Sequence, residues 1–207
     1  MAQDDYHHGN LRQALLDAGE KLLETEGVEG LSMRALARAT GVSHAAPYRH
    51  FADKAELLAA LAARGFARLA AALHTVAAAH QSQPQREYLV ACRRYIELGM
   101  EAPAMYRLMF GQQQPGVGDQ PELAVAGHAA FDALLGAMAR GRAAGTLGEV
   151  STEAQAMAVW SMVHGITELA ISGRLAPCWQ SGLEVLAFGE RMCALLLSGL
   201  GGGKAGN

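Results

Sequence analysis

Between Leu31 and Lys54 the chain reads LSMRALARATGVSHAAPYRHFADK. Arg34, Arg38, Arg49 and Lys54 stand there against the single acid Asp53, a local charge of 4 − 1 = +3 in a chain whose formal charge is −3. These residue types recognise rather than catalyse. Arg49 can hold a phosphate oxygen or a guanine edge, and Tyr48 can donate to phosphate or lie on a thymine methyl. His44 and His50 are further large polar groups on the same short stretch, more than a purely packed corner needs. A basic patch of this size suffices for phosphate contacts. It also implies modest affinity from one copy alone, with tight binding requiring two.

The elements that must position these groups are two short helices joined by a tight turn. Ser32 can cap the first, since its hydroxyl can accept a free first-turn N–H. Leu31, Leu36 and Ala39 suit one apolar face, and Ala35 and Ala37 allow close approach of a neighbour. Gly41 supplies the left-handed conformation of a sharp helix end. Val42 is expected to plug the corner, and Ser43 to cap a second helix over His44–His50. Ala45 and Ala46 leave room for that helix to sit deep in a groove, and Phe51 is its inward anchor. Asp53 and Glu56 form a capping box for the next helix. Lys54 stands in its first turn, where a phosphate suits both the ammonium and the free N–H groups. This is the layout of a helix-turn-helix.

The segment resembles the DNA-binding domain of the TetR family of transcriptional regulators. Leu31, Arg34, Leu36, Ala37, Gly41, Val42, Ser43, Tyr48, His50, Phe51, Lys54 and Leu57-Leu58 carry the resemblance, with the upstream helix Asn10–Glu26. It implies that Ser32, Arg34, Ser43, His44, Ala45, Tyr48, Arg49 and Lys54 lie at DNA, with Tyr48 and Lys54 on phosphates. Position 47 departs from the family: it is Pro where an aliphatic residue is usual. Proline lacks the N–H that would bond the Ser43 carbonyl. The recognition helix is therefore expected to begin as a 3₁₀ turn or to kink.

The 207 residues are 51% hydrophobic, enough to bury a large core. Alanine and leucine dominate while β-branched residues are scarce, which favours helix over strand. Three cysteines, Cys92, Cys178 and Cys193, are widely spaced and odd in number. Reduced core thiols are the expectation, with a redox-sensing thiol the lesser reading. The start MAQDDYHHGN has no secretory core, and no apolar run is read as a membrane span. The expected location is cytoplasmic.

The expected fold class is all-α, with about nine helices. Helices are expected over Asn10–Glu26 (with an Asn10/Gln13 cap), the pair above, Asp53–Ala79, Pro84–Glu101, Pro103–Phe110, Glu122–Ala144, Thr152–Ile171 and Leu183–Leu200. Residues 1–55 form the N-terminal helix-turn-helix domain, 56–200 a C-terminal regulatory and dimerisation domain, and 201–207 a flexible tail.

The second half resembles a TetR subgroup with a W-x-x-x-H-G signature, here Trp160, His164 and Gly165, together with PAMYRLMFG at Pro103–Gly111 and YHHGNL at Tyr6–Leu11. That implies a helical domain that dimerises and encloses a small-molecule cavity. Tyr95, Tyr106, Met109, Phe110, Phe131, Met138, Trp160 and His164 are the candidate ligand residues, suited to a lipophilic effector. The competing reading is that Trp160 and His164 simply pack, with His164 bonded to a backbone carbonyl. Apolar residues on the last two helices, from Met157 to Leu169 and from Leu183 to Leu196, exceed what one chain covers, so homodimerisation through them is expected. The expected partners are a near-palindromic double-stranded operator and an effector, with no membrane. No catalytic or cofactor motif is present. His7 and His8 with His44 or His50 have no spacing that fixes a metal. Two rivals are kept: a helical enzyme or ligand carrier without DNA binding, and a regulator whose cavity is filled by its own side chains.

Overall fold

The computed structural model describes residues 3–111, 120–175 and 182–201. Eight α-helices lie among them: α1 Gln3–Gly30, α2 Met33–Thr40, α3 Lys54–Ala79, α4 Pro84–Glu101, α5 Pro103–Phe110, α6 Pro121–Ala143, α7 Thr152–Ile171 and α8 Gly182–Gly201. The ninth expected helix, His44–His50, is instead a 3₁₀ turn over Pro47–Arg49. Its cause is the proline. Residue 47 offers no N–H to the Ser43 carbonyl, and that carbonyl accepts from Ala46 at 3.0 Å. Arg49 then bonds Ala46, and His50 bonds Pro47, in the three-residue pattern of a 3₁₀ turn. Ser43 therefore does not cap a helix; the turn begins at Ala46, with no side-chain cap bond.

Other boundaries follow from local chemistry. α1 begins at Gln3 rather than Asn10, so the Asn10/Gln13 cap is not formed; Gln13 instead donates to Asp17. The helix breaks at Gly27, whose φ of 70° only glycine adopts readily. Ser32 caps α2 as expected, accepting from the Ala35 N–H at 3.1 Å. Gly41 closes it in the left-handed conformation. Ala39, expected on the apolar face, is exposed, and Val42 is half-buried. α4, α5 and α7 span the ranges expected of them, each started by a proline or by the Ser151 cap. Most of 111–121 and 175–182, Cys178 and the tail lie outside the described residues.

The chain forms two compact units, Met1–Phe66 with Ala102–Gly127, and Ala67–Glu101 with His128–Asn207. In the first, Leu15 and Leu23 of α1, Leu36 of α2, Phe51 and Leu57 and Leu61 of α3 are buried together with Leu108 of α5 and Leu123 of α6. Polar contacts fix the helices around them. Arg64 pairs with Asp17 and Glu20, and its hydrogen bond holds the Asp17 carboxyl below its usual range. Glu24 of α1 accepts from the Ala104 and Met105 N–H groups, so an acid from one helix caps the start of another. Arg12 reaches Glu122 at 3.1 Å and lies 5.5 Å over the Phe51 ring.

In the second unit α4 packs against both α7 and α8. Ile96, Ile166, Val185 and Leu186 form its centre. Gly189 lets α8 approach closely, because a side chain there would strike Ile96. A buried carboxylate is paired there: half-buried Arg140 of α6 meets Glu87 of α4 at 2.6 and 3.1 Å, a two-pronged geometry.

By length and apolarity alone, Lys54–Ala79 and Pro121–Ala143 could cross a bilayer, which corrects the expectation that the chain has no such run. The first is more than half buried among the protein's own side chains, as a core helix is.

The Glu87–Arg140 pair makes an asymmetric prediction. Glu87 is 2% exposed and Arg140 39%. Arg140→Met strands a buried carboxylate, whereas Glu87→Gln leaves an arginine that can turn to water. With allowance for the exposed half of the pair, urea unfolding at pH 7 is expected to give losses of about 2–3 kcal/mol for Arg140→Met and about 1 kcal/mol or less for Glu87→Gln.

Candidate nucleic-acid interface and effector site

The 3₁₀ turn is built with one side inward. Pro47 is buried and Phe51 is 1% exposed, so the short turn is anchored at both ends. Tyr48, between them, is 58% exposed, and Arg49 is exposed beside it. Ser32, Arg34, Ser43, His44 and Ala45 are exposed as well. Of the eight residues expected at DNA, seven are thus open to solvent. The eighth, Lys54, is half-buried, and its ammonium donates to the Val28 carbonyl at 2.6 Å. That bond ties the start of α3 to the end of α1. An ammonium has three N–H groups, so one such bond does not preclude a phosphate. The Asp53/Glu56 box caps α3: Asp53 accepts from the Glu56 N–H at 2.9 Å, and Glu56 from Ala52 at 2.6 Å.

In the second unit, helices α4, α6 and α7 bring four of the candidate ligand residues together. The Tyr95 hydroxyl lies 3.3 Å from His164 Nδ1. The Trp160 ring stands 6.1 Å from His164 and 6.0 Å from Phe131, both edge to face. His164 therefore meets a side-chain hydroxyl. Burial pushes its imidazole below its ordinary value, partly opposed by the nearby Glu168 carboxylate. The position a side chain on Gly165 would occupy is open space.

The remaining candidates stand elsewhere. Met138 is in the second unit and almost wholly buried. Tyr106, Met109 and Phe110 belong to the first unit, where Phe110 stacks edge to face on Phe66 at 5.1 Å and lies 5.0 Å from Tyr106. The candidates were chosen for bulk and for their spread over the helices; four are buried and four half-buried, and bulk cannot say which neighbour a side chain meets. Long-range contacts were not foreseen, among them the Glu87–Arg140 pair and Cys92 against Cys193. Both join residues far apart in sequence, and nothing local marks them. Among the described residues no group of His, Cys, Asp or Glu could hold a metal ion.

A capped helix and a tight turn with exposed Tyr and Arg have the layout of a helix-turn-helix, and a second helical unit accompanies it. Residues 15–61 match the family described as "Bacterial regulatory proteins, tetR family". Residues 89–196, more than half of the chain, match "Tetracyclin repressor-like, C-terminal domain". The chain belongs to the TetR family of DNA-binding transcriptional regulators, and it is not an enzyme. Its first part is 41% identical over 61 residues to the HTH-type transcriptional repressor AcnR of Corynebacterium efficiens; the match spans 30% of this chain and 32% of that protein. A solved protein of unknown function from Rhodococcus sp. RHA1 is 35% identical, with a TM-score of 0.83 over 95% of this chain and 98% of that one. The TetR-family regulator PfmR of Thermus thermophilus shares the fold: 22% identity, TM-score 0.68, covering 90% of this chain and 98% of that one.

The lowered His164 value sets the sign of a pH effect. The unfolded chain takes up a proton near the ordinary imidazole value of 6.5, and the folded chain only at lower pH. His164 thus withdraws stability as pH falls through about 6.5, until the folded imidazole also protonates. His164→Asn is expected to flatten that part of the stability profile, read as thermal midpoints from pH 5 to 8. An unchanged profile would remove His164 as its source.

Proposed function

We propose that this protein is a homodimeric, effector-released repressor that acts in the cytoplasm on a near-palindromic operator. The observation that carries the reading is the outward pair Tyr48 and Arg49 above buried Pro47 and Phe51. Residues 1–55 are the reading head, and 56–200 the regulatory and dimerising part. Ser32, Arg34, Ser43, His44 and Ala45 flank the pair, with Tyr48 and Lys54 on phosphates. Two heads spaced by one turn of duplex, roughly 34–36 Å, require an operator with two-fold symmetry.

The pairing surface is proposed on α7 and α8. Met157, Leu169 and Leu195 leave 45%, 44% and 64% of their surface open in a single chain. Others of the apolar set, Val159, Ile166 and Leu186, are already covered within it, so only the open remainder is left for a second chain. The effector is a small lipophilic molecule with one polar group, taken up beside Tyr95, Phe131, Trp160 and His164. It prefers a conformer whose heads are wrongly spaced, so effector and operator weaken each other's binding.

The test is operator selection from random duplexes, followed by titration at fixed salt. Arg49→Ala is expected to weaken the selected site by roughly 5- to 150-fold and to relax its sequence preference. Tyr48→Phe with Lys54→Ala is expected to weaken all duplexes alike and to lower the salt slope by about one for each phosphate no longer held. Affinities that stay unchanged at matched salt would contradict the interface. Separately, Leu195→Glu is expected to shift the sedimenting species from dimer to monomer. If the dimer persists, these exposed residues are not the pairing surface.

A further inference from the structure

Cysteines 101 positions apart in sequence meet in the second unit. Cys92 of α4 donates to Cys193 of α8 with the sulfurs 2.6 Å apart, and both are free thiols. Cys193 is completely buried and Cys92 nearly so. The seam around them is fixed from two sides. Ile96, one turn beyond Cys92, fills the space left by Gly189, one turn before Cys193. Arg93 pairs with Glu190 at 3.1 Å. The helices are thus held in register at this level, and folding itself brings the thiols together, as an intramolecular reaction requires.

We propose that Cys92 and Cys193 are a dithiol oxidation site, closed by hydrogen peroxide into an intrachain disulfide that pins α4 to α8. Cys193 accepts the Cys92 S–H bond and directs its own S–H to the Tyr88 carbonyl at 3.8 Å; as the acceptor of the pair it is assigned as the attacking sulfur. Its sulfur attacks one peroxide oxygen, the O–O bond breaks, and the departing hydroxide takes the proton that Cys193 released, giving water. The Cys92 sulfur then attacks the sulfenic sulfur of Cys193. The S–S bond forms, the S–O bond breaks, and the second water leaves with the Cys92 proton. Two thiols lose two electrons, and one peroxide becomes two waters.

Burial decides both the oxidant and the pace. Hydrogen peroxide is uncharged and little larger than water, so a brief opening of the seam admits it where bulky charged disulfides are excluded. The hydrogen bond to Cys193, then burial, hold the Cys92 thiol well above its usual range. Cys92 therefore keeps its proton until the sulfenic acid is present. The reaction is slow beside that of an exposed thiolate. Once formed, the bond closes a loop of about 100 residues, which restricts the unfolded chain strongly.

The test uses the intact chain, reduced, desalted, exposed to peroxide while folded, then denatured and alkylated. The expected product retains one reactive thiol per chain, Cys178, and yields a Cys92–Cys193 linked peptide without reductant. Its thermal midpoint rises by roughly 5–15 °C and returns on reduction. In Cys178→Ser both remaining thiols are lost together. Three alkylated thiols after prolonged exposure would overturn the proposal, as would linkage through Cys178 or sulfinic acid at either cysteine without a cross-link.

Discussion

The corner that exposes Tyr48 and Arg49 depends on one missing hydrogen. At residue 47 proline cannot donate to the Ser43 carbonyl, and an α-helix cannot run through the corner. The chain satisfies its carbonyls with shorter 3₁₀ bonds, and such turns stay short because their geometry is poor. A three-residue turn has no extended outer face. It can bury Pro47 and Phe51 and project Tyr48 and Arg49, and little more. The placement of that pair then rests on what braces the turn. Arg12 lies over the Phe51 ring, and Lys54 bonds the Val28 carbonyl, so both α1 and α3 hold the corner. A rigid support under a short reading segment reduces the ordering cost of docking.

How much of this was legible in the sequence varies with the range of the interaction. Punctuation is local. Ser32, Gly41, Pro84, Pro103 and Ser151 each act through their own backbone, and the boundaries they set agree with the structure. The consequence of Pro47 was legible for the same reason. The start of α1 was not, because Asn10 resembles a cap and the helix runs through it. Size and polarity foretold the exposure of Tyr48, Arg49 and His44 but not the half-burial of His50. The effector set divided: Tyr95, Phe131, Trp160 and His164 meet, while Tyr106, Met109 and Phe110 pack in the first unit. A helical period tells which way a side chain faces along its own axis and nothing about the partner across from it.

The buried polar groups that sequence could not pair follow two physical rules. Glu87 remains inside because a guanidinium meets it with two hydrogen bonds, which is what a buried carboxylate requires. His164 is accommodated the other way. Its burial favours the neutral ring, and the exposed Glu168 offsets that only in part. One helical unit therefore accommodates a charge by pairing it and a base by discharging it. The difference lies in geometry: a fork of charged donors reaches Glu87, whereas a neutral hydroxyl reaches His164.

That difference bears on the tautomer. A neutral imidazole whose Nδ1 faces the Tyr95 hydroxyl has its tautomer set by the direction of that bond. With Tyr95 donating, the ring proton sits on Nε2; with Tyr95 accepting, it sits on Nδ1. The aromatic edges of Trp160 and Phe131 supply apolar area in either case. Either way the bond joins α4 to α7 beside an aromatic pair, and exchanging donor and acceptor leaves the two helices packed together.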